Sequence, residues 1–224
     1  MSAADEQLVL DLGHRVASGL EDFLPAPGNR DALAWLQRWP AWPAPALVLY
    51  GPEGSGKSHL ARIWAERSGA LRLDPAALPE PEAEDPLAWV LDPAEPLPDE
   101  LGLLRLYNQL KERGGHLLLT ASRPVSAWRI ELPDLASRLR AAPAVALGPP
   151  DDALLGAVLL KLFSDRQLVA TEGVIAYLIR HMERSFGAAR AVVARLDALS
   201  LRRRRPITIA LARAALDEAP HEQT

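Results

Sequence analysis

Two kinds of apolar pattern alternate along the first two thirds of the chain. Continuous apolar runs at Ala46–Tyr50 and Leu87–Leu91, and the run His116–Thr120, are each bounded by Pro, Gly or polar residues. Such runs predict strands buried on both faces, as in a parallel sheet. Leu71–Leu73 and Ala144–Leu147 add two short strands. Between them, apolar residues recur at helical spacing. A helix is predicted from Asp31, with Leu33, Leu36 and Trp39 on one face, ended by Pro40, Pro43 and Pro45. Others follow over Lys57–Arg67, Leu101–Arg113 (closed by Gly114-Gly115) and Leu132–Leu139. Strands and helices in alternation predict an α/β parallel sheet.

After Pro149-Pro150 the pattern is helical throughout: Asp151–Gln167, Glu172–Met182, Phe186–Leu201 and Ile209–Glu218. Asp151, Thr171 and Thr208 stand where N-caps are expected. The chain therefore divides into an N-terminal arm (1–22), an α/β base (23–148) and a helical lid (149–220). The Pro- and acid-rich stretch 79–86 reads as a solvated loop.

Composition narrows the class. Of 224 residues 49% are apolar and none is cysteine, which supports a buried core and removes disulfide scaffolds and thiol chemistry. No apolar run approaches the roughly 18 residues of a membrane span, and Met1–Glu6 lacks the basic start of a secretory signal. A cytoplasmic protein is expected. The net charge of −4 is uneven: residues 1–148 carry −6 and residues 149–224 carry +2. Neither part is basic enough to require nucleic acid. Arg202–Arg205 suits a solvated helix C-terminus, with phosphate-backbone contact as the other reading. The six tryptophans read as packing residues, and the five histidines lack metal-ligand spacing.

The chemistry concentrates in one motif. Gly51-Pro52-Glu53-Gly54-Ser55-Gly56-Lys57-Ser58 matches G-x-x-x-x-G-K-[ST], with a strand before it and a helix after it. Backbone N–H groups of such a loop cradle phosphate oxygens. Lys57 is expected to reach the β/γ-phosphates, Ser58 to hold Mg²⁺, and His59 to complete the nucleotide site. Asp92, closing the strand Leu87–Leu91, fits the second metal carboxylate. Pro93 follows, where many P-loop ATPases place an acid that positions water. Proline cannot accept a proton, so ATP or ADP binding with weak intrinsic hydrolysis is expected.

Further strings make the pattern specific: Leu106-Tyr-Asn-Gln-Leu-Lys-Glu112, Leu117-Leu-Leu-Thr-Ala-Ser-Arg-Pro124 and Leu132-Pro-Asp-Leu-Ala-Ser-Arg-Leu139. Over nearly its whole length the chain resembles the AAA+ module of the DnaA/Hda family of bacterial replication proteins. The resemblance implies a Rossmann-like AAA+ P-loop base with a small all-helical lid. It implies sensor I at Ser122, an arginine finger at Arg138 acting on a neighbouring subunit (Arg140 is a weaker candidate), and sensor II at Arg190, for which Arg184 and Arg195 compete. Asn29 falls where the family's linker approaches adenine, and equally where a helix N-cap would stand.

Gln7-Leu-Val-Leu-Asp-Leu12 resembles the clamp-binding peptide of the family's shorter members. Gln7 offers hydrogen bonds, and Leu8, Leu10 and Leu12 offer apolar anchors for a groove. The implied partners are DnaA, the DNA polymerase III sliding clamp (β subunit), DNA indirectly through that clamp, and a second copy of the chain. The implied role is negative regulation of replication initiation: on the DNA-loaded clamp, the chain would stimulate hydrolysis of DnaA-bound ATP. The chain ends soon after its last lid helix, leaving no room for the DNA-binding domain of an initiator. The alternatives are a helicase loader, a small-molecule kinase that shares the P-loop, or a clamp-binding adaptor without hydrolysis-promoting activity.

Overall fold

The structure, a computed structural model, describes residues 25–75, 78, 86–97 and 99–217. The arm with Gln7–Leu12 and the loop residues 79–85 lie outside the described residues. The base runs α1 (Arg30–Gln37), β1 (Ala46–Tyr50), α2 (Lys57–Ser68), β2 (Leu71–Leu73), β3 (Ala88–Leu91), α3 (Glu100–Arg113), β4 (His116–Ala121), α4 (Pro133–Ala141) and β5 (Ala144–Ala146). A 3-10 turn, Val125–Ala127, precedes α4. The lid comprises α5 (Asp152–Asp165), α6 (Glu172–His181), α7 (Phe186–Arg203) and α8 (Ile209–Asp217). Within the described residues the break in pattern at Pro149-Pro150 is the passage from the last strand to the helices.

All strand pairs are parallel, in the order β2-β3-β4-β1-β5. The apolar runs become strands because both faces of the sheet are covered. On one face α1 and α2 pack Leu33, Leu36, Leu60, Ile63 and Trp64 against Leu47, Leu49 and Val90. On the other, Leu103, Leu106 and Leu110 of α3 and Leu135 and Leu139 of α4 meet Val48, Leu91 and Leu119. Each such buried side chain contributes about 1.5–3 kcal/mol relative to exposure.

Register decides where the chemistry falls. Tyr50 pairs with Ala121 and Leu91 with Leu119, so β1, β3 and β4 end at one edge. The loop after β1, Asp92 after β3, and Ser122 after β4 therefore converge at the carboxyl ends of parallel strands. That edge is where open α/β sheets bind ligands.

The lid has its own core, including Leu155, Leu159, Phe163, Leu178, Val192, Leu196 and Ala212. Asp151 caps α5 by accepting from Leu154 N–H at 2.8 Å, and Thr208 accepts from Leu211 N–H at 3.3 Å. Thr171 differs from expectation: it holds the N-cap position of α6, but its hydroxyl makes no capping bond. Its carbonyl takes the Val174 and Ile175 N–H groups instead. The first helix also ends earlier than predicted, at Gln37. Pro40 disfavours helical geometry at the residue before it, so Trp39 leaves the helix face. Its ring meets Trp64 edge-on at 6.0 Å.

Candidate functional site

The P-loop leaves β1 at Gly51, whose N–H donates to Ala121 O at 3.2 Å. A Cβ on Gly51 would lie 2.1 Å from the Leu147 carbonyl oxygen, so only glycine fits. Gly54, at φ +71°, lies under the lid: a Cβ there would meet Ser185 Cβ at 2.3 Å. Ser185 caps α7 through Ala188 N–H at 3.0 Å, and Phe186 N–H donates to Gly54 O at 3.1 Å. The lid is thus hydrogen-bonded directly to the phosphate loop. Pro52 and Glu53 are exposed at the tip, Ser55 is buried beneath it, and Gly56 leads into α2.

Lys57 Nζ donates to Gly51 O at 2.8 Å and Pro52 O at 2.7 Å. Burial lowers the Lys57 pKa, while Asp92 and Glu53 pull it the other way. An ammonium folded onto its own loop is positioned to exchange those carbonyls for phosphate oxygens. Ser58 Oγ donates to Asp92 Oδ1 at 3.0 Å. The hydroxyl and carboxylate form the oxygen set that a hard cation such as Mg²⁺ favours, so these residues fit that ion. The remaining donors to Asp92 were not legible in the sequence. Thr120 of β4 also donates to Oδ1, and Arg72 of β2 donates to Oδ2 at 3.0 Å.

Ser122 is placed beside Asp92's strand but faces a different acid, donating to Glu95 Oε2 at 3.1 Å. Arg123 Nε donates to Glu95 Oε1 at 2.9 Å. Glu95, Ser122 and Arg123 form one polar cluster at the strand ends, and only Ser122 was singled out beforehand. His59 Nδ1 lies 2.9 Å from Arg62. Burial, then the charges of Arg62 and Arg190, hold the His59 pKa below its usual value. Arg190 lies in the first turns of α7, the helix that Ser185 caps beside Gly54. Its competitor Arg184 is paired with Asp152 at 2.6 Å, and the partly buried Arg195 lies further along α7.

Asn29 is buried just ahead of α1. Its Oδ1 accepts from Ala26 N–H at 2.8 Å and does not cap the helix. The neighbouring Gly28 carbonyl accepts from Gly148 N–H at 2.9 Å, tying the connector to the end of the base, just ahead of the lid.

Arg138 lies on α4. Its guanidinium bonds Asp134 at 3.0 Å, one helical turn back, and sits 5.8 Å from the centre of the Tyr107 ring. The side chain is 27% exposed, and its Nε is buried without a partner among the described residues. Arg140, exposed, helps line an open concavity of about 660 Å³ with Ile130, Pro133 and Ser137. Tyr107 could have been found from the Tyr-Asn string. Arg72, one arginine on a three-residue strand, carried no signal.

A five-stranded parallel sheet with a P-loop, a metal-type carboxylate at the adjoining strand end and a helical lid bonded to that loop defines the AAA+ fold. It covers 91% of this chain and 97% of domain III of the Thermotoga maritima replication initiation protein DnaA (TM-score 0.74, 16% identity). AMPPCP-bound DnaA from Aquifex aeolicus matches over 83% of this chain and 66% of that one (TM-score 0.63, 17% identity). The Thermotoga maritima RuvB Holliday junction branch migration motor matches over 89% and 71% (TM-score 0.67, 14% identity). Residues 156–216 match the family model of the Hda lid domain. The chain thus shares the fold of these proteins, and its residues 156–216 are similar to the Hda lid domain. Among the described residues, no helix is long and apolar enough to cross a membrane.

Proposed function

We propose that this protein is a nucleotide-bound negative regulator of replication initiation. The observation that carries the reading is the Hda-type lid at 156–216 joined to a DnaA-like P-loop base. In this reading the P-loop holds ADP or ATP, with Lys57 on the phosphates, Arg190 closing from the lid, and Ser58 and Asp92 as the residues that would hold Mg²⁺ when it accompanies the nucleotide. The metal would supply charge neutralisation at the phosphates. The AMPPCP bound by the Aquifex aeolicus relative supports a nucleotide ligand. Pro93 leaves the usual water-positioning acid missing, so the bound nucleotide acts as a structural switch.

The arm residues Gln7, Leu8, Leu10 and Leu12 anchor the chain to the DNA-loaded sliding clamp. Arg138 then exchanges Asp134 for the phosphate oxygens of ATP held by DnaA. A guanidinium presents several fixed donors, and its charge stabilises oxygens of the transferring phosphoryl group. Water attacks the γ-phosphorus, the bond to the β-phosphate oxygen breaks, and DnaA is left with ADP. Fingers supplied in trans raise such rates by roughly 10³–10⁵.

The test is hydrolysis of ATP pre-bound to DnaA, with and without clamp loaded on DNA. Wild-type protein should accelerate hydrolysis only with loaded clamp. Arg138→Ala and a Gln7→Ala/Leu10→Ala double variant should both lose the effect. An Arg138→Ala protein that stimulates normally removes the finger assignment, and a wild type without effect removes the regulator reading.

A further inference from the structure

Asp92 is a heavily bonded acid at the P-loop edge. Its side chain is 7% exposed, and both oxygens are engaged: Ser58 and Thr120 on Oδ1, Arg72 on Oδ2. Two of these donors are neutral hydroxyls, compatible with a metal nearby. The third is a permanent cation. Arg72 reaches Asp92 from the edge strand: β2 pairs in parallel with β3, with Leu73 opposite Leu91, the residue before Asp92. Arg72 is itself 51% exposed, so the ion pair does little to hold the fold and can open. Its position still matters electrostatically. A guanidinium 3.0 Å from Oδ2 already neutralises the carboxylate that should attract Mg²⁺, and it repels a second cation brought to the same acid.

We propose that Arg72 is a tethered counter-cation that competes with Mg²⁺ for Asp92, so that this P-loop takes a nucleoside diphosphate with little help from metal. A site with an unpaired acid would gain affinity when Mg²⁺ is added, because metal offsets the repulsion between carboxylate and phosphates. Here Arg72 supplies that offset from within the chain. Metal-free diphosphate and its Mg²⁺ complex then bind alike, and the bound state does not depend on free Mg²⁺. The inference rests on the reading of the P-loop as a nucleotide site.

The experiment is titration of the full chain with a fluorescent ADP analogue, in EDTA and in saturating Mg²⁺. Wild-type protein should show dissociation constants within about threefold of each other in the two conditions. In Arg72→Gln, Mg²⁺ should tighten binding on the order of tenfold, the effect of one removed charge near a divalent ion at a partly screened site. Arg72→Lys should restore the wild-type insensitivity, because it keeps the charge. Adding Asp92→Asn to Arg72→Gln should abolish the new metal response, which a merely structural role for Arg72 would not produce. Wild-type binding that Mg²⁺ already strengthens tenfold overturns the proposal without any variant. A wild type that binds the analogue in neither condition overturns the nucleotide-site reading, and this inference with it.

Discussion

The base and the lid keep their polar groups in order by different means. At the P-loop edge of the base, the bonds to Asp92 come from Arg72, Thr120 and Ser58, which are 20, 28 and 34 residues away in sequence. In the lid several polar contacts are local: Lys161 with Asp165, His181 with Tyr177, and Asp151 with the start of its own helix. The base site exists only once the sheet has formed, because register alone brings those side chains together. The lid can hold its shape from neighbouring turns and one core. The two meet through a small apolar cluster of Ala26, Leu154 and Phe186, and through the Gly54 carbonyl.

The largest test of this contrast removes core from one side only. Trp64→Ala empties a fully buried site under α2 and should destabilise the base by about 3–5 kcal/mol. Hydrogen exchange should then rise across β1 and β4 far more than across α7. Leu196→Ala, at a fully buried lid position, should do the reverse at about 2–5 kcal/mol. Equal loss of protection in both parts would show them to be one cooperative unit.

A smaller effect is expected at the joint. Gly54→Ala places a methyl against Ser185 and forces a left-handed backbone on alanine, which should cost about 1–3 kcal/mol. Its signature is faster exchange at the Phe186 amide, with the lid core still protected. Lost protection throughout the lid would mean that the joint holds more than the lid's orientation.

Caps should give a matched pair of still smaller effects. Asp99 accepts from Gly102 N–H in the base, and Asp151 accepts from Leu154 N–H in the lid. Alanine at either should cost about 1 kcal/mol, read by denaturant titration. The smallest effect is one of pH. Burial holds the His59 and His116 pKa values below the ordinary value in the folded base. The folded base therefore binds fewer protons than the unfolded chain. The stability this represents is complete above about pH 6.5 and is lost as pH falls below that toward the folded values. His116→Gln should flatten the acid side of the stability profile, and an unchanged profile would discount His116.

Sequence showed the parts of the site that are local. Gly51–Ser58 is one continuous strand-turn-helix signal, and Asp92 stands at the end of an apolar run. Arg138, through the string Leu132–Leu139, and Arg190, through its place near the start of the helix Phe186–Leu201, were assigned by resemblance, and their roles belong to the proposed function. What stayed hidden is what the sheet and the lid assemble. Arg72 meets Asp92 through strand register, and Ser185 meets Gly54 across more than half the chain. Thr120, two residues before Ser122, is the hydroxyl that β4 turns toward Asp92, because Leu91 pairs with Leu119. Alternation along a strand fixes such choices only after its neighbours are known.

The tryptophans of the core give the molecule an optical asymmetry. All six lie between residues 35 and 128, so the base carries every indole and the lid none. Trp42 and Trp64 stack with ring centroids 5.3 Å apart, and Trp64 belongs to the helix that begins at Lys57. Emission excited at the red edge of the absorption band therefore reports on the half that carries the P-loop, and the other half is silent. The base can be followed without attaching a dye, and the lid adds nothing to that signal.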